Sequence, residues 1–142
     1  MAERNDTGRA ISGWANAGPK LRSVLRVVAA FIFIQIGTMK LFGFPMAMPD
    51  GATAPVFSEV WLAGILETFG GLLLLVGLYT RPVAFVLSGE MAVAYFQFFG
   101  LHNFWPVVNG GIDAVLFCFL WLYFSAAGAG PWSLDAVWRR KG

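Results

Sequence analysis

Residues 60–79 read VWLAGILETFGGLLLLVGLY and residues 82–100 read PVAFVLSGEMAVAYFQFFG. Each stretch is predominantly apolar and carries a single formal charge near its middle, Glu67 in the first and Glu90 in the second. About 20 such residues suffice to cross ~30 Å of hydrocarbon, so both read as membrane spans. A carboxylate at that depth costs on the order of 2.5–3.5 kcal/mol on insertion scales. It persists only if neutral, paired or turned to a wet cavity. The two glutamates therefore mark the place to look for a site.

Composition agrees with this class. Of 142 residues 58% are hydrophobic and only 13% charged, and the mean hydropathy is +0.67. A soluble domain of this size could not cover that much apolar side chain. One domain is expected, with the lipid bilayer as its solvent and no basic surface suited to nucleic acid. A single cysteine, Cys118, excludes an internal disulfide and C-x-x-C chemistry. Inside an apolar run it reads as a small hydrophobe.

Four apolar runs can be cut out, at about 22–43, 58–79, 82–100 and 106–127, which predicts an all-α membrane protein built as an antiparallel four-helix bundle. Residues 1–20 are polar and without periodicity, so a flexible tail is expected there, and 136–142 form a short basic tail. The segment 44–57 holds three prolines and a glycine in FPMAMPDGATAPVF and reads as a loop. Tyr79 to Pro82 is a tight turn, with Pro82 opening the next helix, and GAGP at 128–131 ends the last span.

Basic residues predict the orientation. Arg4, Arg9, Lys20, Arg22 and Arg26 precede or open the first run, Arg81 lies between the second and third, and Arg139, Arg140 and Lys141 close the chain. The other two connections carry no Lys or Arg. The positive-inside rule then places both termini in the cytoplasm. Trp61 and Trp105 suit the outer interface; Tyr79, Tyr123 and Trp132 suit the inner one.

Ala63, Gly64, Gly70 and Gly71 lie three or four residues from Glu67, so its helical face is small and open to close packing. Glu90 shares a face with Leu87, Ala94 and Gln97. Asn109 and Asp113 form an i, i+4 pair, and the first run offers Gln35 and Lys40. Glu67 is fourteen residues before Arg81 and Glu90 nine after it. A hairpin at Arg81 therefore leaves them ~7 Å apart in depth at ~1.5 Å per residue. The expected site is an outward-opening pocket of Glu67, Glu90, Asp113, Lys40, Asn109 and Gln35. Three carboxylates facing one lysine cannot all be ionised there, so at least one is expected to carry a proton. The bland alternatives are a Lys40 that snorkels outward, an Asn109–Asp113 pair that caps its helix, and glutamates that only hydrogen-bond the helices together. His102 reads as a loop residue, and no metal-ligand spacing is present.

Several segments together resemble one known family. They are GTMKLF at 37–42, LETFGGLLLLVGLYTR at 66–81, EMAVAYF at 90–96, FWPVVNGG at 104–111 and GAGPWSLD at 128–135. The chain is similar over about 21–135 to DoxX proteins, small four-span bacterial membrane proteins. By that resemblance Lys40, Glu67, Asn109 and Asp135 fall on positions the family commonly marks with the same residue. Members typically carry an acid directly after N-G-G, whereas here Ile112 stands there and Asp113 follows, which turns the carboxylate by about 100°. The family name comes from a subunit of a thiosulfate:quinone oxidoreductase. The resemblance thus implies a quinone-interacting or oxidoreductase-associated membrane subunit, with quinone as the expected ligand and other oxidoreductase subunits as expected partners. Without a haem-ligand pair, flavin fingerprint or cysteine pair, the chain is not a complete redox enzyme on protein groups alone. A proton-coupled carrier and a purely structural subunit are the rival readings.

Overall fold

A computed structural model of the chain describes residues 2–141, with side chains from residue 11 onward. Among the described residues every element is helical: α1 (Ala2–Phe42), α2 (Glu59–Val76), α3 (Thr80–Phe99), the single turn α4 (Pro106–Asn109), α5 (Ile112–Ala127) and α6 (Leu134–Lys141). Three stretches are long and apolar enough to cross a membrane, Ile11–Phe42, Glu59–Val76 and Thr80–Phe99, and α5 is a shorter apolar helix.

Two boundaries differ from the sequence expectation. The polar segment expected as a tail instead continues α1 from Ala2. Extending an existing helix needs no new nucleus, so weak propensity suffices for elongation. Arg4 and Arg9 have side chains outside the described residues. The run 106–127 is not one helix. Gly110 adopts a left-handed φ of 79° and Gly111 φ −88°, while the Asn109 side chain accepts the Gly111 N–H at 2.7 Å. That Asx-type turn interrupts the rod. What remains, α5, is 16 residues long, or ~24 Å at 1.5 Å per residue.

The elements pack in antiparallel register. Going up α1, Ala30 and Ile34 meet Gly71, Gly37 meets Gly64 and Thr68, and Lys40 and Leu41 meet Gly64. On the other face of α2, Gly70 lies against Leu87 of α3. The face of small residues is therefore divided, Gly64 and Gly71 serving α1 and Gly70 serving α3. Helix α3 pairs with α5: Ser88 donates to the Cys118 carbonyl at 2.8 Å, Gly111 packs on Tyr95, and Arg81 lies over Gly128. Between them the core is apolar and aromatic. Phe33 meets Phe117 and Trp121 with ring centroids 5.0 and 5.3 Å apart, and Leu74, Leu87 and Phe124 fill the remainder.

The tightest approach against neighbouring backbone is at Gly37. A Cβ there would lie 2.7 Å from the Thr68 amide nitrogen and 2.8 Å from the Gly64 carbonyl oxygen, both backbone atoms that cannot swing aside. Gly37→Ala is expected to destabilise by roughly 1–3 kcal/mol, the usual scale of overpacking. Gly13→Ala has nothing within 4 Å and should be neutral or slightly stabilising, since Ala outranks Gly in helices. Thermal unfolding of the detergent-solubilised variants checks this; equal shifts would mean that Gly37 is not a packing contact.

Candidate functional site

The site begins with a deformation of α2. Residues Leu66–Gly70 form a π turn inside an otherwise α-helical rod. Such a turn fits one extra residue into the helix and recurs at functional positions. Its effect here is that Glu67 and Thr68, adjacent in sequence, are both buried. Glu67 is 1% exposed and its Oε1 accepts from Lys40 Nζ at 2.6 Å. Lys40 stands in the last turn of α1, where the helix dipole favours a cation. Snorkelling to the interface is thus not what Lys40 does; it turns inward and is 19% exposed. The second carboxylate oxygen of Glu67 is buried without a hydrogen-bond partner.

Glu90 is the neighbour of this pair. It lies close enough to both Glu67 and Lys40 to interact with them electrostatically. Both of its carboxylate oxygens are buried and neither has a hydrogen-bond partner. Its side chain lines a groove of about 450 Å³ between α2 and α3, walled by Leu62, Leu66, Val86 and Phe98. At the far end of that groove Gln97 donates to the Glu59 carboxylate, which narrows its mouth with a polar bridge. An acid with no partner, on the wall of an apolar groove, is the arrangement a bound polar group would complete.

The remaining residues expected at the site stand elsewhere. Gln35 donates to Phe31 O of its own helix at 3.3 Å. Asn109 organises the 100–111 segment: it donates to Asn103 O at 2.7 Å and to Tyr95 Oη at 3.3 Å, while Tyr95 donates to Phe104 O. Asp113 is exposed in a groove between α1 and α5 lined by Leu25, Ile32 and Leu116. The Gly110–Gly111 break and the one-residue offset after it turn Asp113 away from the α2–α3 face. Lys40, Glu67 and Glu90 are brought together; Gln35, Asn109 and Asp113 are not. His102 is exposed in its loop. Among the described residues no three of His, Cys, Asp and Glu come together as metal ligands.

Comparison with known proteins now bears on this geometry. The model of the DoxX family matches residues 21–100, which hold Lys40, Glu67 and Glu90. The chain belongs to the DoxX family. A Haemophilus influenzae relative called "Uncharacterized protein" is 43% identical over 126 residues, covering 87% of this chain and 94% of its own. An Escherichia coli relative, "Inner membrane protein YphA", is 27% identical over 121 residues, 80% of each chain. No solved structure matches.

Within this DoxX protein a second polar cluster escaped the sequence reading, which used Arg26 only to orient the chain. Arg26 has no exposed surface. Its Nε donates to Ala129 O at 3.0 Å, Nη1 to Leu74 O and to Leu75 O at 2.8 Å, and Nη2 to Trp132 O at 2.5 Å. Asp135, one of the positions marked by resemblance, accepts from the backbone N–H groups of Tyr79 and Thr80 at 2.8 and 2.9 Å. It thereby holds Tyr79 at a left-handed φ of 50° and caps α3. The available signal was position: Arg26 lies one turn inside an apolar run, where an arginine needs acceptors.

Lys40→Met should destabilise strongly, on the order of 3 kcal/mol, because it strands a buried carboxylate. Lys40→Met combined with Glu67→Met should recover most of that loss. A double-mutant cycle on thermal stability reads the coupling; strictly additive single losses would show that the two do not act as a pair.

Proposed function

We propose that the chain is a four-helix inner-membrane subunit that binds a quinone-class headgroup in the groove beside Glu90 and exchanges protons with it. The observation that carries this reading is the Glu90 carboxyl, buried without a partner on an apolar wall. The groove lies between two helices apolar enough to span, so a lipid-soluble ligand could enter from the bilayer. A protonated Glu90 donates a hydrogen bond to a carbonyl oxygen of the headgroup; an ionised Glu90 accepts one from a phenolic O–H. Lys40 holds Glu67 in place, and the free Glu67 oxygen offers a second carboxylate close to Glu90 for the proton. A bound quinone would supply two-electron chemistry, for which an associated oxidoreductase subunit would be the electron donor or acceptor, while this chain's part would be to hold the headgroup and exchange its protons.

The orientation supported by charge is both termini cytoplasmic. Arg22, Arg26 and Arg81 converge on the segment 127–132 at one end, and the loops 43–58 and 100–105 at the other end contain no Lys or Arg. Reporter fusions after Asp50 and after Asn103 should report the outside, and one at the C-terminus the cytoplasm. A cytoplasmic signal after Asp50 would overturn the orientation.

Mass spectrometry of lipid extracts from the gently purified protein should find quinone at near-stoichiometric amount, reduced at least tenfold in Glu90→Leu and less in Val93→Leu. Equal quinone in all three would remove Glu90 from the site. Proton-dependent solute flux in proteoliposomes without bound quinone would favour the carrier reading, which uses the same carboxylates.

A further inference from the structure

At the opposite end from Lys40, a cavity of about 290 Å³ lies between the α2–α3 turn, the bend at Gly128 and α6. Arg81 and Arg139 line it together with Tyr79 and Trp138, whose rings meet edge to face with centroids 6.0 Å apart. Asp135 is the one acid in the lining, and both its oxygens accept backbone N–H groups of Tyr79 and Thr80. The only ion pair among the described residues is Lys40–Glu67, so neither guanidinium has a carboxylate partner. Arg139 Nε reaches Asp135 O at 3.3 Å, which leaves its terminal nitrogens unengaged, and the Arg81 guanidinium lies over Gly128. Two guanidinium groups without an ion-pair partner thus line one cavity, and guanidinium N–H groups are suited to phosphate oxygens.

The same corner exposes apolar side chains. Helix α6 exposes Leu134, Val137 and Trp138, the last 57% exposed, and ends in Arg139, Arg140 and Lys141. Apolar and basic residues on one short helix suit the plane of a bilayer interface, and a tryptophan there sits at headgroup level. We propose that this cavity binds the phosphate of an anionic phospholipid, with Arg81 and Arg139 on the phosphate oxygens and Trp138 against the glycerol and upper acyl chain. The source of the phosphate is the membrane: the cavity's rim is formed by side chains that a soluble anion would not need. The proposal stands apart from the quinone reading, since it uses none of the same residues.

The full chain purified in a non-ionic detergent is titrated with phosphatidylglycerol, phosphatidylcholine or inorganic phosphate, with thermal unfolding and native mass spectrometry as readouts. Phosphatidylglycerol should raise the unfolding temperature and remain bound as one tight copy; phosphatidylcholine, whose phosphate is offset by its own quaternary ammonium, should bind at least tenfold more weakly, and inorganic phosphate should do neither. In Arg81→Gln/Arg139→Gln the apparent affinity for phosphatidylglycerol should fall roughly thirtyfold, because both charge-assisted contacts to the phosphate are lost. Arg140→Gln/Lys141→Gln should stay within about threefold of the unaltered protein. If the first double variant does not fold, Arg81→Lys/Arg139→Lys is titrated in its place and should bind phosphatidylglycerol at least threefold more weakly, since lysine keeps the charge but not the planar donor set; unchanged affinity in that variant overturns the proposal. An equal response to phosphatidylcholine, an equal response to inorganic phosphate, or unchanged phosphatidylglycerol affinity in the glutamine variant overturns the proposal.

Discussion

A guanidinium with no exposed surface has to find acceptors for its N–H groups, and Arg26 finds four carbonyls. Two, Leu74 and Leu75, belong to the last turn of α2, where a helix leaves its final carbonyls without partners. The other two, Ala129 and Trp132, belong to the irregular segment after α5. Without a counter-surface of this kind, non-helical backbone at the edge of a membrane would carry unsatisfied polar groups. One side chain thus ties the first helix, the end of the second and the chain's final bend into a single unit. The turn at Gly77 completes the accounting. Leu78 N donates to Leu73 O and Gly77 N to Leu74 O in a Schellman-type cap, while Asp135 N donates to Gly77 O.

The other end is built on a different principle. There the polar group is a charge pair, Lys40 with Glu67, buried by close backbone approach at Gly37 and Gly64 and by the π turn in α2. Breaking either partner strands a charge, so the pair fixes the register of α1 on α2 more than it adds net stability. Glu90 sits beside it, on the next helix, with no such partner. At the basic end every N–H group of Arg26 that is buried meets a carbonyl, whereas at the opposite end both oxygens of the Glu90 carboxyl are buried without a partner.

Much of the frame was legible in the sequence. Glu67 and Glu90 stand out because a lone charge in about 20 apolar residues has to be neutral, paired or turned to a wet cavity, and the structure buries Glu67 against Lys40. The turn at Tyr79–Pro82 and the loop at 44–57 were legible because proline and glycine restrict the backbone locally. Asp113, Asn109 and Gln35 were read into the same pocket because spacing gives a helical face but not which neighbour that face meets. Gly110 and Gly111 lay inside an apolar run, where hydropathy hides a break that a left-handed φ imposes.

Sequence by itself determined the membrane class, the helical character, the segments and the two intramembrane acids, since each follows from solvation cost and local backbone preference. It also determined the charge asymmetry between the ends. Only tertiary structure decided that Lys40 turns inward rather than outward, that Arg26 is a hub of hydrogen bonds as well as a basic residue of its end, and that Glu90 is left unpaired. Those outcomes depend on which carbonyls and carboxylates come within about 3 Å of a given side chain. That is set by the π turn in α2 and the glycine contacts between α1 and α2, whose effect on phase and approach no local spacing rule contains.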